Sequence, residues 1–205
     1  YITIPFSYIC NLSIFSGEFP RAMKLSKVVP VYKSGDANNL NNYRPISLLP
    51  SLSKVLERIV YDRLYKYLSA NDFIIPQQFE FRKKYSTELA LLHATELISS
   101  IVENKKTAIG IFIDLSKAFD CINHDILLQK LSQYGVRGFE LQWFASYLRN
   151  RSQYVHFKES NSDTTLITTG VPQGSILGPL LFILFVNDYH RGATGEYSRP
   201  PIVYF

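Results

Sequence analysis

Residues 107–115, read as Thr-Ala-Ile-Gly-Ile-Phe-Ile-Asp-Leu, form a β-prone run that is apolar almost throughout and ends on an acid. A strand that alternates apolar and polar side chains needs one covered face, whereas a strand apolar on both sides needs two. The run therefore predicts a buried strand in a layered fold of sheet and helices, with Asp114 at a sheet edge. A length of 205 residues, 46% of them apolar, suffices for one domain or two closely packed lobes.

Helical spacing of Leu52, Val55, Leu56, Ile59 and Leu64, with Lys54, Glu57, Arg58 and Asp62 between them, predicts an amphipathic helix over 51–69. A second is expected over 87–104, capped by Ser86 or Thr87 and ended by Lys105 and Lys106. Two more are expected over 123–134, stopped by Gly135, and over 139–149. Alternation over 153–158 and 164–169, with Asn161-Ser162-Asp163 in the turn, predicts a hairpin. A glycine- and proline-rich loop over 170–179 leads into a last helix over 180–188, opened by Pro179. Residues 1–50, interrupted by Pro5, Pro20, Pro30, Pro45 and Pro50, read as loop and short extended pieces, with 27–33 strand-like. Residues 189–201 read as loop, and 202–205 could begin a strand.

Several classes are excluded. A charged fraction of 19% does not describe a disordered chain. Two distant cysteines, Cys10 and Cys121, make neither a disulfide framework nor a Cys-rich zinc site, and they fit a reducing, intracellular compartment. The longest apolar run, 180–186, is too short to cross a bilayer, and no leader precedes it, so no membrane association is expected. The chain opens on Tyr1 and reads as a fragment of something longer. No histidine set has zinc spacing, no P-loop appears, and Ser175 is followed two places on by Leu177 rather than the glycine of a nucleophile elbow. The net charge of +5 is uneven: residues 1–106 hold fourteen Lys/Arg against nine Asp/Glu, and residues 107–205 hold eight of each. A basic first half points to an anionic partner, with nucleic acid the first candidate, although the same excess also serves solubility.

Three sets of residues could carry chemistry. Asp114, at the end of a strand, could hold magnesium, with the Leu115 carbonyl as a further oxygen ligand; on the pattern alone, a turn cap is the commoner role. Glycines at 170, 174 and 178 allow close approach of a ligand and Gln173 offers an amide, or the segment is simply a turn before a helix. Lys33, Arg44, Arg82, Lys83 and Lys84 could face phosphates, or form a solvated surface.

Taken in order, Asn42-Tyr-Arg-Pro-Ile-Ser-Leu-Leu49, Phe81-Arg-Lys-Lys-Tyr-Ser-Thr87, Phe112-Ile-Asp-Leu-Ser-Lys-Ala-Phe-Asp120 and the segment from Gly170 to Phe182 resemble the reverse transcriptase domain of non-LTR retrotransposons, most of all the jockey-like and CR1-like elements. The stretch from Trp143 to Tyr154 is also typical of that group, and the likeness covers residues 12–188. The resemblance implies an α+β right-hand polymerase fold: fingers over 1–106, and over 107–205 a partial palm of antiparallel sheet packed with helices, with the thumb absent. It implies RNA-templated DNA synthesis, in which a primer 3′-hydroxyl attacks the α-phosphate of a deoxynucleoside triphosphate with two Mg2+ ions assisting. Its partners would be an RNA template, a DNA primer and deoxynucleotides.

By the same resemblance, Asp114 is the metal-binding aspartate. Phe119 lies beneath the nucleotide sugar and selects against a 2′-hydroxyl, and it is also a candidate core aromatic. Gln173 and Gly174 line the nucleotide, Lys33 and Arg44 reach the triphosphate, and Arg82, with Lys83 beside it, faces template or primer. Asp120 and Asp188 are read as structural.

Two departures matter. The family's Ala-Asp-Asp motif, which brings the remaining carboxylates, would begin where the chain reaches Val203-Tyr204-Phe205. Glu80 stands where the family usually has glycine, a substitution expected to resist the backbone angle needed there. A catalytically dead remnant that at most binds nucleic acid is the alternative. The expectation is that these 205 residues alone extend no primer on an RNA template; extension that Asp114→Ala abolishes would overturn it.

Overall fold

A computed structural model describes residues 1–112, 114, 115 and 117–187. In chain order these form helix α1 (Thr3–Ser16), strands β1 (Leu25–Tyr32) and β2 (Tyr43–Leu48), helices α2 (Ser51–Ala70), α3 (Thr87–Glu103), α4 (His124–Gln133) and α5 (Gly138–Leu148), strands β3 (Arg151–Phe157), β4 (Ser160–Asn161) and β5 (Thr165–Ile167), and helix α6 (Gly178–Val186). The result is a mixed α/β fold, as expected for part of a polymerase hand. Asp188, and the loop and strand expected over 189–205, lie outside the described residues.

The sheet runs β2-β1-β3, with β4 and β5 both paired to β3. β1 and β2 are antiparallel, and their register sets Pro30 opposite Pro45. Neither proline has an N–H, so the two suit a pair that exchanges no ladder bonds. The Pro30 nitrogen then turns toward β3 beyond the point where that pairing ends, at Val28↔Val155, and the Pro45 nitrogen turns off the outer edge. Two prolines thus sit in strands without leaving a partner unbonded. β1 meets β3 in parallel, from Leu25↔Ser152 to Val28↔Val155. The expected hairpin over 153–169 is present as β3 and β5, but the chain reverses at Lys158 and Glu159, where Lys158 takes φ 54°, and Asn161 is already in β4.

Helix α1 corrects the expectation of loop over residues 1–50. Pro5 falls in its first turn, where the missing N–H has no intrahelical acceptor in any case. The helix ends at Gly17 in the left-handed region, φ 68°, and packs on α5, where Trp143 Nε1 donates to Ser13 Oγ at 2.9 Å. Two helices begin at side-chain caps: Ser86 Oγ accepts from Leu89 N, as expected for α3, and Asn123 Oδ1 accepts from Asp125 N and Ile126 N at the start of α4. The core gathers Leu56, Leu64 and Leu68 of α2, Leu127 and Leu131 of α4, the Trp143 and Tyr147 rings of α5, and α6. Leu180, Leu181, Ile183 and Leu184 are all buried, so α6 is a central helix, apolar all round.

Two cations are also inside. Arg151, 1% exposed, donates Nη1 to the Tyr147 carbonyl at 3.1 Å and lies against the Phe19 and Tyr147 rings. Lys24 donates to the Arg149 carbonyl at 3.2 Å; burial first, and then the positive charges of Arg151 and Arg21, push its pKa down.

Among the described residues of 107–115 the expected buried strand is absent. The described residues of that segment carry no strand, and Ile109, Ile111 and Phe112 are 86%, 84% and 89% exposed. A strand exists only through a neighbour that shares its hydrogen bonds, and among the described residues none lies beside this run. Denaturant unfolding checks the contrast. Leu127→Ala should cost about 2–5 kcal/mol, and Ile111→Ser, on an open segment, should change stability by no more than about 0.5 kcal/mol.

Candidate functional site

The loop between β5 and α6 is tied to three separate parts of the chain. Gly170 N donates to the Ile122 carbonyl at 2.8 Å, Val171 N to the Phe119 carbonyl at 2.9 Å, and His124 Nε2 lies 2.7 Å from the Gly170 carbonyl. Gln173 then offers its carbonyl to Ser47 N at 2.8 Å, on the outer edge of β2. Next to it, Gly174 takes φ 124°, and a Cβ there would stand 2.6 Å from the Ser47 carbonyl oxygen. At Gly170, φ 84°, a Cβ would stand 2.8 Å from both the Asp120 Cα and the Phe119 carbonyl oxygen. The space these glycines leave is filled by the protein's own backbone rather than kept for a ligand. Further on, Ile176 N and Leu177 N donate to Glu57 Oε2, and Gly178 N to Ser175 Oγ.

Against this loop lies an open cavity of about 280 Å³, whose lining includes Val28, Ser47, Asp120, Thr169 and Gln173. Partial loss of water at its mouth pushes the Asp120 carboxyl above the usual carboxylate range, with Lys117 pulling the other way. Phe119 reaches the core, its ring stacked on Phe182 at 4.9 Å and edge-on to Phe81 at 5.9 Å. The backbone of Phe119 is therefore tied to the loop that carries Gln173 and Gly174, while its ring packs on Phe182 and Phe81 and, of these three residues, Gln173 lines the cavity.

The remaining expected residues lie elsewhere. Arg44 stands opposite Val31, on the face of β2 turned away from Val28, Ser47 and the cavity, and Lys33 sits exposed just past the end of β1. Arg82 points Nη1 at the carbonyls of Ile75 (2.9 Å) and Gln78 (3.2 Å) and lays its guanidinium 4.0 Å from the Tyr85 ring centroid, so it braces its own loop. Exposed Lys83 lies 3.7 Å from Asp62. Glu80 takes no left-handed angle; the neighbouring Phe81 does, at φ 56°, so the loss of glycine at 80 carries no backbone strain at that residue.

Asp114 and Leu115 are exposed. They offer one carboxylate and one carbonyl, oxygens of the kind magnesium takes, but too few to hold two ions. Among the described residues no group of three His, Cys, Asp or Glu could hold a metal. Nor is any described helix long and apolar enough to cross a membrane.

Three residues that shape the site carried no role in the sequence reading. Ser47 and His124 act through contacts more than 45 residues away in sequence. Glu57 was placed among the polar residues of α2, yet it is fully buried. Its signal was positional: it falls four residues after buried Ser53 and seven before Leu64, on the apolar stripe.

A model of the reverse transcriptase (RNA-dependent DNA polymerase) family matches residues 31–205. The chain is 35% identical over 184 residues to the RNA-directed DNA polymerase from mobile element jockey of Drosophila melanogaster, covering 88% of this chain and 20% of that protein. It is 35% identical over 177 residues to the probable RNA-directed DNA polymerase from transposon BS of the same fly, covering 83% and 19%. To the probable RNA-directed DNA polymerase from transposon X-element it is 33% identical over 206 residues, covering 100% and 22%. The chain spans about a fifth of the length of these relatives.

Gly174→Ala tests the docking of the loop on β2. Both the left-handed angle and the 2.6 Å approach to Ser47 oppose a side chain. The substitution should destabilise by more than about 1 kcal/mol in thermal or denaturant unfolding.

Proposed function

The chain belongs to the reverse transcriptase (RNA-dependent DNA polymerase) family, and we propose that it supplies the fingers, over 1–106, and the start of the palm, over 107–205, of the RNA-directed DNA polymerase of a non-LTR retrotransposon. One observation carries this reading: the 170–178 loop is hydrogen-bonded both to Phe119 and to the edge of β2 at Ser47, so residues from three distant motifs meet at one cavity. A nucleotidyl transferase needs such a meeting point, because its protein part mainly positions the reacting groups.

In this reading Gln173 and Gly174 line the incoming deoxynucleotide. Phe119, held from behind by Phe182, presents a ring that a 2′-hydroxyl would strike. Exposed Lys33, just past β1, approaches the triphosphate and exposed Lys83 the phosphates of template or primer, while Arg44, turned from the cavity, and Arg82, bonded to its own loop, stay out of contact with the nucleotide. Asp114, with the Leu115 carbonyl, contributes to a Mg2+ site that needs more ligands than these two. The excess of basic residues before 107 supports an RNA template and a DNA primer as partners. The work would take place inside the cell, in the cytoplasm and nucleus of the host.

Primer extension on an RNA template, by the polypeptide that carries this segment, tests the proposal. Asp114→Asn should lower extension at least about a thousandfold (about 4 kcal/mol) with template binding kept. Phe119→Ala should raise ribonucleotide use relative to deoxynucleotide by about tenfold. Nucleic-acid binding without extension would favour the dead remnant, and extension indifferent to Asp114→Asn would defeat the site assignment.

A further inference from the structure

Glu57 is fully buried on α2. Taking a carboxylate out of water costs several kcal/mol unless donors replace the water. Here they do. Oε1 accepts from Ser53 Oγ at 2.8 Å, and Oε2 accepts from Ile176 N at 2.8 Å and Leu177 N at 3.3 Å. Those two amides belong to the residues just before α6, next to the end of the helix that presents partial positive charge. Leu177, the N-cap of α6, has no side chain able to cap it. Glu57, 120 residues earlier, takes the Leu177 amide just ahead of the helix, while Ser175 Oγ takes the first helical amide, Gly178 N, at 3.0 Å. The Tyr147 hydroxyl, also fully buried, is pushed well above the usual phenol range, first by burial and then by the Glu57 charge, so a neutral phenol stands beside the carboxylate.

The other anchor of the same loop sits on the same unit. Ser47 of β2 takes the Gln173 carbonyl and leaves room only for glycine at 174. β2 ends at Leu48 and α2 begins at Ser51. Residues 173–177 are thus held at one end by β2 and at the other by α2, across a short link. Gln173 cannot move relative to β2 and α2 without breaking one of these anchors.

We infer that Glu57 is a positioning residue: from α2 it clamps the loop so that the Gln173–Gly174 bend keeps its height against the incoming nucleotide. The bend's ligand rests on the polymerase reading, whereas the clamp rests on the hydrogen bonds alone. Because Arg44 lies on the same strand as Ser47, the clamp also holds the bend in a fixed relation to the basic hairpin.

Two substitutions separate clamp from bulk. Glu57→Asp withdraws the carboxylate by one methylene and breaks its reach to the amides. Glu57→Gln keeps the length: its carbonyl can accept from both amides and its NH2 can donate to Ser53, exchanging charged bonds for neutral ones. In the 205-residue chain, hydrogen exchange at Ile176 and Leu177 should quicken at least about tenfold in Glu57→Asp and stay within about threefold in Glu57→Gln. In the polypeptide that extends primers, Glu57→Asp should raise KM for deoxynucleotides about tenfold, with kcat and primer–template Kd within about threefold, and Glu57→Gln should restore KM.

A merely structural contact would instead lower the unfolding midpoint and the active fraction and leave KM unchanged, which overturns the positioning role. Unchanged exchange in folded Glu57→Asp overturns the clamp. If Glu57→Asp does not fold, Ser53→Ala, which frees the carboxylate on the α2 side, should move exchange and KM in the same directions by a smaller factor; no movement in either overturns the inference. A wild-type polypeptide that neither binds deoxynucleotides nor extends primers defeats the polymerase reading and the positioning role with it, while the exchange data still decide the clamp.

Discussion

Parallel pairing of β1 with β3 joins residues 25–28 to residues 152–155 across more than 120 positions of chain. Everything at the cavity follows from that seam. It sets the β1–β2 hairpin beside the β3–β5 hairpin, and only then does the loop after β5 come within hydrogen-bond reach of Ser47 on the far edge of β2. The sheet therefore draws strands from both of the regions proposed as fingers and palm. Long-range contacts of this kind carry a large closure entropy. The helices that offset it are those whose apolar faces meet around α6.

What could be read from the sequence was whatever local physics decides. α2, α3, α4 and α5 are legible because apolar spacing, a cap at Ser86 and a stop at Gly135 act within a few residues. α1 is not legible because Pro5 reads as an interruption, although in a first turn a proline is compatible with a helix start. The described residues of 107–115 depart from expectation for the opposite reason: their composition is that of a strand, but a strand is a relation between two segments, and composition reports on one.

The site divides in the same way. Phe119, Gln173 and Gly174 could be found because their residue types are unusual in their setting and fall in ordered motifs. Ser47 and His124 could not, since a serine in a strand and a histidine at a helix start are ordinary until the loop arrives. Glu57 lay between these cases. Among the charged residues of α2 it looked solvated, and only its place on the apolar stripe marked it out. Arg82 shows the converse: a basic residue in a basic segment looked free for phosphate, yet its Nη1 faces the carbonyls of Ile75 and Gln78.

The open segment 107–112 has a consequence for the material itself. It is uncharged, free of proline and rich in isoleucine, the composition from which dry intermolecular zippers are built. Its large side chains, Ile109, Ile111 and Phe112, are exposed, and among the described residues no strand pairs with it. Lys105 and Lys106 on one flank and Asp114 on the other are the charges that stand against such stacking.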